Sequence, residues 1–407
     1  FTVGENVWLY ALRGGGAKPW SGGRNTNDDE TRSALDAVGL RGMATTRLGA
    51  SLAPGQRQML ALTRAVVNEH RVLILDETTA STTESYFELV KDMVVREKAA
   101  GTCVIFVSHR MQEVLGIADR IVVLRNGALV TTLDARATNA NEITSLMIGD
   151  ALRVVHRPPS VRASAAEPML EVSQLCAGSA REVSFAVRAG EIVGIYGLVG
   201  SGRSSVARAI SGQMRMRSGS VAASGRKPKL TNPRAALADG IAYVSEDRRR
   251  EGFVPDFTNG HNLTLNILAR HARGGVVDLR GERAAADALV RQYGVKGTSS
   301  TMTTTLSGGN QQKVCIAKWV AADPEIIVLD EPTKGIDVGA RATIYEIIFD
   351  MASRGKAIVV VSSEAEEILL LTHRVLVMRD GLVVAELDSA SASTEDLARP
   401  ALGAVAS

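Results

Sequence analysis

The sequence predicts two tandem α/β domains, each built around a mostly parallel sheet, and three observations predict it. At 407 residues the chain is longer than one hydrophobic core ordinarily serves. It also repeats itself: Leu52-Ala53-Pro54-Gly55-Gln56 returns as Leu306-Ser307-Gly308-Gly309-Asn310. One shift of 254 positions also carries Asp76-Glu77 onto Asp330-Glu331, Ser108-His109 onto Ser362-Ser363, and Arg125-Asn126-Gly127 onto Arg379-Asp380-Gly381. Third, short apolar runs alternate with helix-length segments, the pattern of a sheet wound with helices.

The elements follow in order. Val104 to Val107 reads as a strand of the first half. In the second half Glu191 to Gly197 reads as a strand and Arg203 to Ser211 as the helix after it. Glu325 to Asp330 reads as a buried strand and Ala340 to Met351 as a helix. Arg374 to Met378 and Leu382 to Glu386 flank Asp380-Gly381, and Asp-Gly between apolar runs is a strong hairpin signal.

Upstream, Phe1-Thr2-Val3-Gly4-Glu5-Asn6 answers to Phe257-Thr258-Asn259-Gly260-His261-Asn262, at a shift two positions longer. The stretch from about Pro168 to Asp256 therefore has no partner in the first half, which predicts a chain that is either a fragment or an eroded copy; the absent initiator Met agrees. The expected division is a first domain over 1–152, a linker over 153–168 rich in Pro, Ser and Ala, and a second domain over 169–407.

Hydrophobic residues make up 45% of the chain and charged ones 22%, a globular composition. The longest apolar runs, such as Ala357 to Val361, are too short to span a bilayer, and no secretory pattern opens the chain, so an intracellular protein is expected. Cys103, Cys176 and Cys315 are odd in number and far apart, which predicts buried thiols in place of a disulfide framework. A net charge of +3 gives little support to a nucleic-acid partner.

Gly197-Leu198-Val199-Gly200-Ser201-Gly202-Arg203-Ser204 has phosphate-loop spacing directly after a strand. Its glycines let successive N–H groups turn inward around an anion, and the helix that starts there adds its positive end. Arg203 stands where such loops carry Lys, and Ser204 or Ser205 offers a hydroxyl to Mg²⁺. Taken alone, a plain turn is the commoner reading of such a run, so its surroundings decide. They include an apolar strand, Ile326 to Leu329, that delivers Asp330 and Glu331 at its polar end. Asp330 suits a Mg²⁺ shell, and Glu331 can orient the attacking water or take its proton. A solvated acidic strand end is the bland alternative, and its repetition as Asp76 and Glu77 argues against it.

With Leu306-Ser307-Gly308-Gly309-Asn310-Gln311-Gln312-Lys313-Val314 the sequence strongly resembles the ATPases of sugar-importing ABC transporters. Ser245-Glu246-Asp247-Arg248 and Ser362-Ser363-Glu364 extend the likeness, with Glu246 where related ATPases have Gln and Ser363 where they have His. The resemblance implies P-loop NTPase domains with an antiparallel β portion and a helical subdomain carrying the signature run. It implies ATP and Mg²⁺ as ligands, and two halves that pair head to tail so that each signature closes the other half's site. The first site would use Asp76, Glu77 and His109, closed by Leu306, Ser307, Gly308, Gly309, Asn310 and Gln311. The second would use Gly197 to Ser205, Glu246, Asp330 and Glu331, closed by the altered run that contains Gly55 and Gln56. In that second site Arg203 replaces a compact Lys, Ser363 lacks an imidazole and Pro54 removes an N–H. Each loss of a stabilising group typically costs about 10²–10³ in rate. Thr78 also stands where the family has Pro, as Pro332 does in the other half.

Two membrane-spanning permease subunits, and indirectly a solute-binding protein, are the partners that the resemblance implies. It places the chain at the cytoplasmic face of the cell membrane, with no direct sugar contact and no nucleic acid. Arg248-Arg249-Arg250 reads as a solvated loop. Two other classes stand beside this one: a soluble tandem ABC ATPase acting on ribosomes or nucleic acid, and a non-catalytic nucleotide-binding module. The short Pro-rich linker and the Asn310-Gln311-Gln312 variant disfavour the first, and retention of Glu77 and Glu331 disfavours the second.

Overall fold

The computed structural model describes residues 1–8, 28–67, 70–76, 78, 84–108, 110–125, 127–148, 167–336 and 338–403. The chain divides into two compact units, Phe1–Asp150 and Ala151–Ser407. The expected linker lies outside the described residues as far as residue 166.

The first unit runs α1 (Val3–Val7), α2 (Asp28–Ala37), α3 (Pro54–Val66), β1 (Val72–Asp76), α4 (Glu84–Ala99), β2 (Cys103–Val107), α5 (Met111–Ile117), β3 (Arg120–Arg125), β4 (Ala128–Asp134) and α6 (Ala140–Ile148). Here β1 and β2 pair in parallel, and β3 and β4 form an antiparallel hairpin. A capping box starts α1: Glu5 N–H donates to Thr2 Oγ1 at 3.2 Å, and Thr2 N–H donates to the Glu5 carboxylate at 2.7 Å.

The second unit opens with β5 (Leu170–Ala177), β6 (Ala180–Val187), β7 (Ile192–Gly197), α7 (Arg203–Ile210), β8 (Ser218–Ala223), α8 (Pro233–Ala238) and β9 (Ile241–Val244). Helices α9 (Asn259–Thr264) and α10 (Leu279–Gln292) enclose the small ladder of β10 (Ala272–Arg273) and β11 (Val276–Val277), and α11 (Gly308–Val320) completes a helical portion. Then come β12 (Ile326–Asp330), α12 (Val338–Ser353), β13 (Ala357–Ser362), α13 (Ala365–Leu371), β14 (Arg374–Arg379), β15 (Leu382–Asp388) and α14 (Thr394–Leu402). The main sheet has the order β15-β14-β7-β13-β12-β9 and is parallel except for the β14–β15 edge hairpin. A second sheet, β6-β5-β8, is antiparallel. Strands β7, β12 and β13 are buried on both faces, which is why they read as unbroken apolar runs.

The repeat is structural as well as textual. From α3 to α6, every helix and strand of the first unit reappears in the second at the shift of 254, α3 as α11 and β1 as β12 through to α6 as α14. Upstream of α3, the bridge Thr2–Leu48 recurs as Thr258–Met302. What differs is the cover over the sheet. Ile326, Val328, Val359 and Val361 are fully buried among side chains of β5, β6, β8 and α7. Their counterparts Val72, Ile74, Ile105 and Val107 are 45–63% exposed.

The expected strands and helices appear with ends displaced by no more than two residues. The thiols depart from expectation: Cys315 is buried, Cys176 is half-buried and Cys103 is exposed. Among the described residues no helix is long and apolar enough to cross a membrane.

Candidate functional site

The register of the parallel strands gathers the predicted residues of the second unit at one edge. Ser362 is paired with Tyr196, Asp330 with Val361 and Leu329 with Val244. The carboxyl ends of β7, β13, β12 and β9 therefore lie side by side, and such strand ends are where α/β sheets hold ligands.

From β7 the chain enters the phosphate loop. Gly200 and Gly202 take φ of 88° and 101°, values that L side chains rarely reach. A Cβ on Gly200 would meet nothing within 4 Å, whereas one on Gly197 would lie 2.4 Å from the Met378 carbonyl oxygen. The loop is tied at its back: Gly381 N–H donates to Ser201 O at 3.0 Å, and Arg181 N–H to Gly381 O at 2.8 Å. Ser201 Oγ is buried without a hydrogen-bond partner, which suits a loop built to surround phosphate oxygens. Leu198 and Val199 turn their side chains to solvent and can contribute through the backbone alone.

The two serines after Arg203 separate cleanly. Ser204 Oγ donates to Asp330 Oδ1 at 3.2 Å, while Ser205 Oγ lies 3.3 Å from Ser179 Oγ, away from the carboxylates. Ser204 and Asp330 are thus the pair able to share a metal ion. Asp330 also accepts from Tyr243 Oη at 2.9 Å, and burial pushes its carboxyl up to about 6. Tyr243, which the sequence did not single out, is itself raised by burial and by the Asp330 charge.

Arg203 is not an idle cation. Its Nη1 lies 3.3 Å from Glu331 Oε1, and both side chains are at least nine-tenths buried. That nitrogen makes no aligned hydrogen bond, so the pair is held by charge and leaves a donor for another oxygen. Glu331 has a φ of 50°, an uncommon backbone conformation of the kind that gathers at functional sites. Burial raises its carboxyl, and Arg203 and the Ser363 hydroxyl pull it back down.

Glu246 follows β9 and forms an ion pair with Lys334, just beyond Glu331. Arg248 departs from the solvated loop expected of it: Nη2 donates to Gly335 O at 3.3 Å and would touch a Cβ on Gly308. Burial lowers its affinity for the proton.

The signature run starts α11. Ser307 is exposed and Gly308 half-exposed, while Asn310 and Gln311 are buried and serve the loop itself. Asn310 Nδ2 donates to Ser307 Oγ at 2.9 Å, its Oδ1 accepts from Lys296 N–H at 2.9 Å, and Gln311 Nε2 donates to Leu306 O at 3.0 Å. Gly309 is required sterically, because a Cβ there would lie 2.3 Å from Ala340 Cβ.

In the first unit Asp76 ends β1, exposed, and Gln56 Oε1 accepts from Ala53 N–H at 3.2 Å at the start of α3, with Gly55 beside it. Glu77 and His109, like Asn126, lie outside the described residues.

Residues 1–80 and 180–334 match the ABC transporter family. The chain is 38% identical over 376 residues to the ribose import ATP-binding protein RbsA of Chromobacterium violaceum, covering 92% of this chain and 74% of that one. It is 36% identical to a putative ribose/galactose/methyl galactoside import ATP-binding protein of Rhizobium etli, over 99% of this chain and 77% of the relative. Among solved structures it is similar to a nucleotide-free ATP-binding cassette from an ABC transporter, with 19% identity, a TM-score of 0.47 and coverage of 54% of this chain and 91% of that one.

Proposed function

The chain belongs to the ABC transporter family of ATP-binding proteins, and from that premise we propose that it binds and hydrolyses ATP to energise import of a sugar through membrane permease components. One observation of the second unit carries the chemical part: the phosphate loop, the Ser204–Asp330 pair and Glu331 stand together at the ends of β7 and β12. Backbone N–H groups of Gly200 to Ser204 would hold the phosphates, and Ser204 with Asp330 would hold Mg²⁺, which spreads the charge that develops on phosphoryl transfer. Glu331 would orient the attacking water once Arg203 exchanges it for phosphate oxygens.

The pairing of Arg203 with Glu331 also supports an unequal division of labour. Each site would be shared between the two ABC domains, over 1–152 and 169–407, with two permease subunits as partners at the cytoplasmic face of the membrane. The second site would turn over slowly, because breaking a buried ion pair leaves charges to be satisfied. The first, with Asp76, Glu77 and His109 facing Ser307 and Gly308, would carry most of the hydrolysis. In the full-length subunit with its permease partners, Glu77→Gln should abolish nearly all steady-state ATPase activity, about 10²-fold or more, and Glu331→Gln should leave most of it. Equal losses would reject the asymmetry, and an absence of Mg²⁺-dependent ATPase activity in the unmutated protein would reject the whole reading.

A further inference from the structure

Behind Glu331 lies a buried acid that the proposed chemistry does not use. We infer that Glu367, and Glu113 at the same place in the repeat, are positioning residues for ATP hydrolysis, each fixing the strand end that carries the switch position beside the catalytic carboxylate. The inference rests on the proposed ATPase function.

Glu367 lies on α13 and is 4% exposed. Its Oε2 accepts from Ser362 Oγ at 2.6 Å; its Oε1 accepts from Thr333 Oγ1 and, at 3.5 Å, from Tyr345 Oη. Ser362 and Thr333 are themselves fully buried. The first is the last residue of β13 and follows Val361, whose carbonyl oxygen accepts from Glu331 N–H at 2.8 Å; it also precedes Ser363, whose hydroxyl pulls the Glu331 carboxyl down. The second lies two residues after Glu331. The bonds therefore close a ring: Glu331 to Val361 through a backbone hydrogen bond, Val361 to Ser362 along the chain, Ser362 to Glu367 to Thr333, and back along the chain to Glu331.

That ring explains why an acid stands there. Burying a carboxylate is costly, and the nearby cation Arg341 is already engaged by Glu364. A packed apolar residue would serve the helix–sheet contact at least as well. A carboxylate accepts on two oxygens and so receives both strand-end hydroxyl protons at once, whereas a Gln would present an NH₂ to one of them and force that hydroxyl to send its proton elsewhere. The first unit repeats the device: Glu113 on α5 is 3% exposed, accepts from Ser108 Oγ at 3.3 Å and pairs with Arg110. Ser108 follows β2 just before His109, as Ser362 stands just before Ser363.

The test uses the full-length subunit with its permease partners, in a Glu77→Gln background so that turnover comes from the second site, read by single-turnover hydrolysis of Mg-ATP. Glu367→Gln should slow hydrolysis at saturating ATP by about tenfold to a hundredfold, the scale expected when a reacting group is slightly misplaced. The dissociation constant for ATP should change by less than about twofold. Glu367→Asp should recover part of the rate, and adding Ser362→Ala to Glu367→Gln should cost nothing further, since both break one ring. In a Glu331→Gln background, Glu113→Gln should slow the first site in the same way. If Glu367→Gln is poorly folded, Ser362→Ala alone gives the same readout. An unchanged rate, or a rate, ATP affinity and melting temperature that fall together, overturns the positioning role. If the parent protein hydrolyses no Mg-ATP at all, the ATPase reading itself falls, and this role with it.

Discussion

Glu367 joins the buried hydroxyls of Ser362 and Thr333 and that of Tyr345, and its protonation should be visible in stability. Burial raises its carboxyl above the ordinary 4.5, Glu364 adds to the rise, and Ser362, Thr333 and Arg341 oppose it; among the described residues Tyr345 also touches it. A proton held more tightly in the folded chain than in the unfolded one stabilises the fold fully below that ordinary value, and the contribution is lost as pH rises through the raised one. Glu367→Gln carries no charge at any pH. Its melting temperature relative to the parent should therefore climb as pH rises above 4.5, and a constant difference would show that the carboxyl's affinity for the proton is not raised by folding. The types of the chemical residues were legible in the sequence: glycines, a cation and a hydroxyl after one strand, two acids after another. Their partners were not. The contacts of Arg203 with Glu331, Tyr243 with Asp330 and Arg248 with Gly335 join residues far apart in the chain, and only the order and register of the strands decide who meets whom.

At the scale of elements, α11 carries the signature run and is set by close approach to α12. Gly309→Ala would gain up to about 1 kcal/mol of helix propensity but would force Ala340 aside, and overpacking of this kind costs about 1–3 kcal/mol. The net outcome should be a loss of stability in chemical denaturation; a variant as stable as the parent would mean that the two helices can separate freely. The β14–β15 hairpin was readable from Asp380-Gly381 because both residues take positive φ, 50° and 88°, as a two-residue turn of that class requires. The sheet β6-β5-β8 had no comparable signal. Its strands carry Ser, Glu and Arg among the apolar residues, and their ladders are interrupted by shifts of register. Only the family resemblance supplied an antiparallel portion.

Across the whole molecule the repeat was the most readable feature, since a shift found in a few motifs also governs helices and strands that carry no motif at all. The stretch from Pro168 to Asp256, which has no counterpart in the first half, holds β5, β6, β8 and α7, so the unequal cover of the two copies was foreshadowed in the sequence, though not its extent. Strands β12 and β13 are sealed on both faces, whereas β1 and β2 leave Val72, Ile74, Ile105 and Val107 open to water. Local opening is easiest where apolar cover is thin. In hydrogen exchange of this 407-residue chain, amides of β1 and β2 should exchange well before those of β12 and β13; equal protection would mean that the first copy is as firmly packed as the second. The Arg203–Glu331 pair has one more consequence. A guanidinium already matched to a carboxylate is a poor trap for stray sulfate or orthophosphate, which would expel the acid and offer it nothing in exchange. On the proposed ATPase reading, a polyphosphate that arrives with its own divalent ion would bring a counter-charge for each member of the pair, so the doorway would discriminate by what a visitor carries and not by its negative charge alone.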